Sequence, residues 1–427
     1  MSQVTAENRS PWAEKFASMR PENITLPAGS GSGVGNGLIG VGAVCTGLAF
    51  ASPLIMPGVS LGHPLASFHV GAMSVLACCM GAIFFLLIFS LVNAGWTATI
   101  RRQFENIASL IWIPIVMVGV VLAVEVINKG VMFRWMGENP AENYLLGKKS
   151  PYLNIPRFVV FAVVYAAVWL ALSRLLVGYS QRLDETGDKA YAAKIRTLAP
   201  VGMICFAFTL AFASFDWLMS QDIIFFSTMW PVYFLAGCAF TSLTTVVMIF
   251  AALRLRGKLQ GVVTEEHFHD LGKLLFGFTC FWAYIAFFQY FLIWYANIPE
   301  ETAWFLARSR DGWEHFFPIL AFGHFVIPFL ILIFRPIKRN PRFLLAFCGL
   351  LILMQLLDVF WVVRPVVYAG QPADKVPGIT ASWIDVVAIA GAVAIFAGFL
   401  IKKVASGPLV PLNDPRMGES LKHKNYV

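Results

Sequence analysis

Ten apolar runs, each long enough to cross a hydrocarbon core of roughly 30 Å as a helix, divide this 427-residue chain, and its basic residues fall on alternate connections between them. The two tails and every second connection carry 23 of the 32 Lys and Arg residues; the other five connections carry 9. Basic side chains near span ends resist translocation, so the charge-rich connections mark the cytoplasmic face. The pattern predicts an all-α polytopic membrane protein with ten transmembrane helices and both termini in the cytoplasm. The spans are read at residues 37–57, 68–93, 105–127, 156–178, 198–218, 228–253, 271–296, 312–335, 342–364 and 381–402.

Composition narrows the function classes. Charged residues make up 13% of the chain and hydrophobic ones 58%, against a charged fraction of about a quarter in soluble domains. No large aqueous domain is left to carry chemistry. The net charge of +8 follows from the orientation rule and carries no nucleic-acid meaning. All seven cysteines (Cys45, Cys78, Cys79, Cys205, Cys238, Cys280, Cys348) fall within spans, without a CxxC or CxxCH pattern. That spacing argues against covalent haem, iron–sulfur or zinc ligation and for small apolar filler. The Ala49-Phe50-Ala51 pattern follows a leader too long and too acidic for a signal peptide, so the first helix is expected to be retained.

Residues 1–36 form a polar tail ending in a Gly/Ser run, 37–402 the membrane domain, and 403–427 a second tail with Pro408, Pro411 and Pro415. Both tails are expected to stay flexible unless a partner orders them. On the outer side, residues 216–227 read as an interfacial segment, and the long connection 128–155 as a packed loop or docking surface.

A charged side chain at a helix centre costs about 2.5 to 3.5 kcal/mol on insertion scales, so each such residue needs a reason. Asp358 lies in the outer half of span nine, Gln355 one turn earlier on the same face, and Arg364 at that span's outer end. Glu125 and Asp216 stand near the outer ends of spans three and five, Asp385 starts span ten, and His69 opens span two. His324 is the histidine near mid-membrane, in span eight; Tyr284 and Gln289 occupy the middle and outer parts of span seven. Should several converge, they form a polar pocket or proton path opening outward.

Each has a structural alternative. Glu125 can pair with Lys129 at i, i+4; Asp216 and His69 can be interfacial; Asp385 can serve the helix dipole; His324 can bond a carbonyl beside Pro328. Asp358 is hardest to explain structurally. A lone deep histidine does not satisfy paired haem ligation. The aromatic crowd in span seven, including Phe281, Trp282, Tyr284, Phe287, Phe288 and Tyr290, suits lipid contact and is compatible with a quinone ring.

Two stretches carry a resemblance. Asp270-Leu271-Gly272-Lys273-Leu274-Leu275-Phe276, then Phe281-Trp282-Ala283-Tyr284-Ile285-Ala286-Phe287-Phe288-Gln289-Tyr290 and Ile293-Trp294-Tyr295-Ala296-Asn297-Ile298-Pro299-Glu300-Glu301-Thr302, form the first. Phe215-Asp216-Trp217-Leu218-Met219-Ser220 through Phe226-Ser227-Thr228 forms the second. With the ten-span layout they resemble the ActF membrane subunits of alternative complex III, in the NrfD/polysulfide-reductase membrane-subunit superfamily.

The resemblance implies two four-helix bundles, spans two to five and six to nine, with two flanking helices, in a bacterial inner membrane. It implies a quinol-oxidising respiratory complex with a paralogous NrfD-like membrane subunit, an iron–sulfur subunit, multihaem and monohaem c-type cytochromes, and small membrane subunits. Iron–sulfur clusters and haem c then belong to partners, and quinone or quinol is the small molecule at a shared site. Quinol binding in that family is associated with the paralogue ActC, which shifts the expectation here toward proton passage or scaffolding. Such a chain is not catalytic alone. A purely structural anchor and a secondary transporter remain the alternatives; the latter calls for paired interrupted helices at mid-membrane.

Overall fold

The computed structural model describes residues 21–310, 312–368 and 381–425. Among them there is no β-strand, and ten helices are long and apolar enough to cross a membrane. The chain is a multi-pass membrane protein. The helices are α1 Ser32–Ile55, α2 Gly62–Leu91, α3 Arg101–Ile127, α4 Ile155–Thr186, α5 Ala190–Trp217, α6 Trp230–Leu255, α7 Glu265–Ala296, α8 Trp313–Leu332, α9 Pro341–Val363 and α10 Ser382–Ala405.

Lipid supplies no hydrogen bonds, so backbone groups are satisfied within helices and association depends on close packing. α2 packs on α3 and α5, and α4 on α5; α6 packs on α7 and α9, and α8 bridges α7 and α9. These are the two expected bundles, joined along α2 and α6, the two most buried spans. At Gly81 of α2 an added Cβ would lie 2.0 Å from the Cys238 carbonyl oxygen of α6, so only glycine permits this approach. The flanking helices pair with each other: α1 lies along α10, where a Cβ on Gly42 would meet the Gly391 carbonyl at 2.7 Å.

Both described chain ends lie on one face, the tail side. The C-terminal tail departs from the flexible expectation. Leu409 N–H donates to the Ile24 carbonyl (2.8 Å), Arg101 donates to Asp414 (2.5 Å), and Ser420 sits among Thr99, Trp96 and His267. Buried Leu409, Val410, Asp414 and Met417 replace a solvated tail with a strap across the helix ends. Of the N-terminal tail, residues 1–20 lie outside the described residues, while Asn23 pairs with the connection at Leu259 and Gln260. On the opposite, far side, residues 128–154 form the packed loop expected, with the short helix Tyr144–Lys149 and buried Trp135.

Candidate functional site

Asn340 caps α9 by accepting from the backbone N–H of Arg342 and Phe343, and Pro341 fixes the first turn. At a rise of about 1.5 Å per residue, Asp358 lies roughly 8 Å from the helix's far end, and Gln355 three residues earlier shares its face. Both are buried, 2% and 3% exposed. Gly237 of α6 makes room for the amide: a Cβ there would stand 2.9 Å from Gln355 Nε2.

Three neutral groups surround the Asp358 carboxylate. Tyr233 Oη, from the first turn of α6, donates to Oδ1; Trp282 Nε1 of α7 donates to Oδ2 at 3.1 Å, and Gln355 Nε2 donates to the same oxygen at 3.3 Å. The chain continues inward, where His324 Nε2 donates to Gln355 Oε1 at 3.1 Å. His324 is fully buried, stacked on Trp282 with ring centres 3.8 Å apart, and its Nδ1 has no partner among the described residues. It stands on a π-helical turn, Ala321–Val326, in the middle of α8. Such turns widen a helix by one residue and recur at functional positions. His324 therefore bonds a side chain on α9, not a carbonyl beside Pro328.

Asp358 closes one end of a cavity of about 500 Å³ lined mainly by aromatic side chains of α6, α7, α8 and the segment Pro299–Leu306. Tyr233, Trp282, Trp304 and Trp361 form its inner wall, while Tyr284, Phe287 and Phe317, each about half exposed, form the mouth toward lipid. Gln289 also lines it and accepts from Ser227 Oγ at 2.9 Å. Behind Asp358, a hollow of about 20 Å³ bordered by Gln355, Gly237, Ala77 and Leu218 reaches the seam between the bundles. That is space for one water molecule.

Arg308 was not legible in the sequence as part of this site. It is 3% exposed, stacks 3.5 Å from the Trp304 ring centre, and donates to the carbonyls of Trp304 (3.0 Å), Trp361 (3.0 Å) and Val362 (2.6 Å). The guanidinium thus caps the C-terminal ends of Pro299–Leu306 and α9 where their dipoles favour a cation, and so fixes the far wall of the cavity. Burial, opposed by Asp222 and Tyr233, brings its pKa down to about 9.

The other expected residues sit elsewhere. Asp216 is fully buried in the first bundle and accepts from Arg157 Nη1 (2.6 Å) and Tyr165 Oη (2.7 Å). Glu125 does not pair with Lys129; it accepts the backbone N–H of Val131, Met132 and Phe133 and so folds the chain leaving α3. His69 is fully buried, not interfacial, and donates to the Trp217 carbonyl at 3.0 Å. Arg364 and Asp385 form an ion pair of 2.7 Å joined by His63, between α9, α10 and α2. Of the ten candidates, His324, Gln355, Asp358, Gln289 and Tyr284 share one site. Single-span reasoning could not place Tyr233, Trp282 and Arg308 beside them, because nothing but tertiary packing brings them there.

A pattern emerges among the carboxylates within the helices. Asp184, Glu105, Asp216, Asp270, Glu266 and Asp385 face cations, and Glu125 faces three amides. Asp358 differs from both kinds: it is held by the neutral side-chain donors of Tyr233, Trp282 and Gln355. No family model and no curated relative matches the sequence.

Proposed function

We propose that this chain is an integral membrane subunit of a respiratory quinol:electron-acceptor oxidoreductase in a bacterial inner membrane, and that it handles protons at Asp358. Oxidation of a quinol to its quinone gives up two electrons and two protons, and the two leave by different routes. The electrons pass to the iron–sulfur and cytochrome c subunits that the resemblance implies, with the terminal acceptor a c-type cytochrome. The protons are this chain's share. The distribution of Lys and Arg supports cytoplasmic termini, which puts the mouth of the cavity in the outer half of the bilayer.

One observation carries the reading: an acid buried in the membrane-spanning region, without a cation, at the end of a side-chain relay and facing a cavity. An intramembrane ion pair is explained by packing, because breaking it strands a charge. Asp358 has no such partner to strand, so it can take up and release a proton in place. Tyr233 lies on its cavity side, and Gln355 and His324 lie inward, giving a hydrogen-bonded sequence from cavity to mid-membrane. The cavity volume and its aromatic walls suit a ring, which makes this the surface the chain turns toward quinol.

Replacing Asp358 with Asn keeps the shape: its carbonyl oxygen can accept from Trp282 and Gln355 while its NH2 donates to Tyr233 Oη, and the titratable proton is removed. In the assembled, purified complex, D358N is expected to lower quinol:cytochrome c turnover about 100-fold, the lower range for general acid–base groups, with haem content and subunit composition unchanged. Wild-type turnover would leave the scaffold reading, in which the helices serve only to anchor the redox subunits.

A further inference from the structure

The aromatic cavity has two polar ends. At the inner one, Tyr233 and Trp282 meet the Asp358 carboxylate. Two turns along α7 from Trp282, on the same face, stands Gln289, about 10 Å farther toward the far side. Between these levels α7 lines the cavity with Ala283, Tyr284, Ala286 and Phe287, of which Tyr284 and Phe287 open it sideways to lipid.

Gln289 is held in one orientation. Ser227 Oγ donates to its Oε1 at 2.9 Å. Ser227 is itself fixed ahead of α6, because its carbonyl accepts from the Trp230 N–H at 3.2 Å and its own N–H donates to Met219 Sδ at 3.4 Å. With the amide oxygen engaged, the NH2 end is left over, and among the described residues it meets no acceptor. That nitrogen carries two donors. Gln289 therefore offers donors, and no free acceptor, to the cavity it lines.

The two ends define the occupant. One end presents an acid bonded to a phenol, the other presents N–H groups, and the space between them is apolar. A hydrogen bond spans about 2.8 Å, so a six-membered ring with oxygens at opposite positions reaches both ends at once. A hydrocarbon chain would leave the amide donors unpaired.

We propose that Gln289, oriented by Ser227, holds one oxygen of a 1,4-dioxygenated ring while the opposite oxygen faces Asp358. The ring then stands along α7 between the two polar ends, and its hydrocarbon tail leaves past Tyr284 and Phe287. This rests on the reading that the cavity faces quinol, and adds to it the orientation of the ring and the group that fixes it. Gln289 positions the ring and exchanges no proton.

The test is binding of decyl-1,4-benzoquinone to the purified full chain, followed by quenching of tryptophan fluorescence, with decylbenzene, which lacks the oxygens, as competitor. Q289M keeps the length of the side chain and loses the amide. It should weaken quinone binding about tenfold, the worth of one neutral hydrogen bond, and leave the affinity for decylbenzene unchanged. S227A keeps the amide but frees it to turn, so its nitrogen faces the ring about half the time and quinone binding should fall about twofold. In the assembled complex, Q289M should raise the KM for decyl-1,4-benzoquinol about tenfold at unchanged kcat. If Gln289 serves only to tie Ser227 to α7, both variants lose the same bond and weaken the quinone equally. That result, wild-type quinone binding in Q289M, or an equal loss of decylbenzene would each overturn the proposal. Impaired turnover in D358N beside unchanged quinone binding in Q289M would overturn the ring's placement and leave the proton reading standing. Wild-type turnover in D358N beside tenfold weaker quinone binding in Q289M would do the reverse.

Discussion

Asp216 and Asp358 stand near the far-side ends of α5 and α9, and what faces each decides its role. Arg157 and Tyr165 hold Asp216, so its charge is balanced inside the fold. D216N would leave Arg157, whose side chain is 14% exposed, without its carboxylate. A loss of about 3 kcal/mol is expected, read as a lower thermal unfolding midpoint of the purified chain, with turnover per intact complex unchanged. Lost turnover at unchanged stability would instead place Asp216 on the proton route. At this scale the sequence was partly legible. The insertion cost that makes intramembrane polar residues rare pointed to Asp358, Gln355 and His324, and these three do bond in series. The same argument also selected Glu125 and His69, because a sequence shows that a polar group is buried and not which amide, carbonyl or cation satisfies it.

Among the elements, the spans were readable because twenty apolar residues have few alternatives in a chain of this composition. Their ends were less so: α4 and α7 each run to 32 residues, well past the apolar windows, because polar turns extend the helices beyond the hydrocarbon. The π-helical turn under His324 left no mark in the residue pattern. The C-terminal strap was misjudged for a physical reason: prolines and charges signal a chain that buries little, yet Asp414, Asn413 and Ser420 are satisfied by groups on other elements. Burial would raise the Asp414 pKa, but Arg101 and Arg416 more than offset it and hold the carboxyl below the ordinary carboxylate range. A depressed pKa in the folded state contributes stability that is full above the unfolded value, about 3.9, and lost as pH falls through the folded one. The strap should therefore resist trypsin at Arg416 and Lys422 from neutrality down to about pH 4, as followed by conformational trapping at each pH before digestion at neutral pH. D414N should be cleaved from the neutral-pH state onward. Equal resistance of the variant at neutral pH would show that apolar packing of Leu409 and Val410 suffices.

At the scale of the whole molecule, two bundles share a seam along α2 and α6 and differ in their polar interiors. The first is closed by ion pairs and backbone contacts around Asp216 and Glu125; the second opens through aromatic walls onto Asp358. The tail side is locked by the strap, and the far wall of the cavity is fixed by Arg308. This division leaves one half of the molecule closed and gives the other a cavity with a buried acid, the place where we propose that a proton moves. The most direct test is infrared difference spectroscopy of the assembled complex on addition of quinol, read in the carboxylic C=O stretching region. A band that shifts on quinol addition in the wild type and in D216N, and is missing in D358N, is the expected result. The same band in D358N as in the wild type would contradict proton exchange at Asp358.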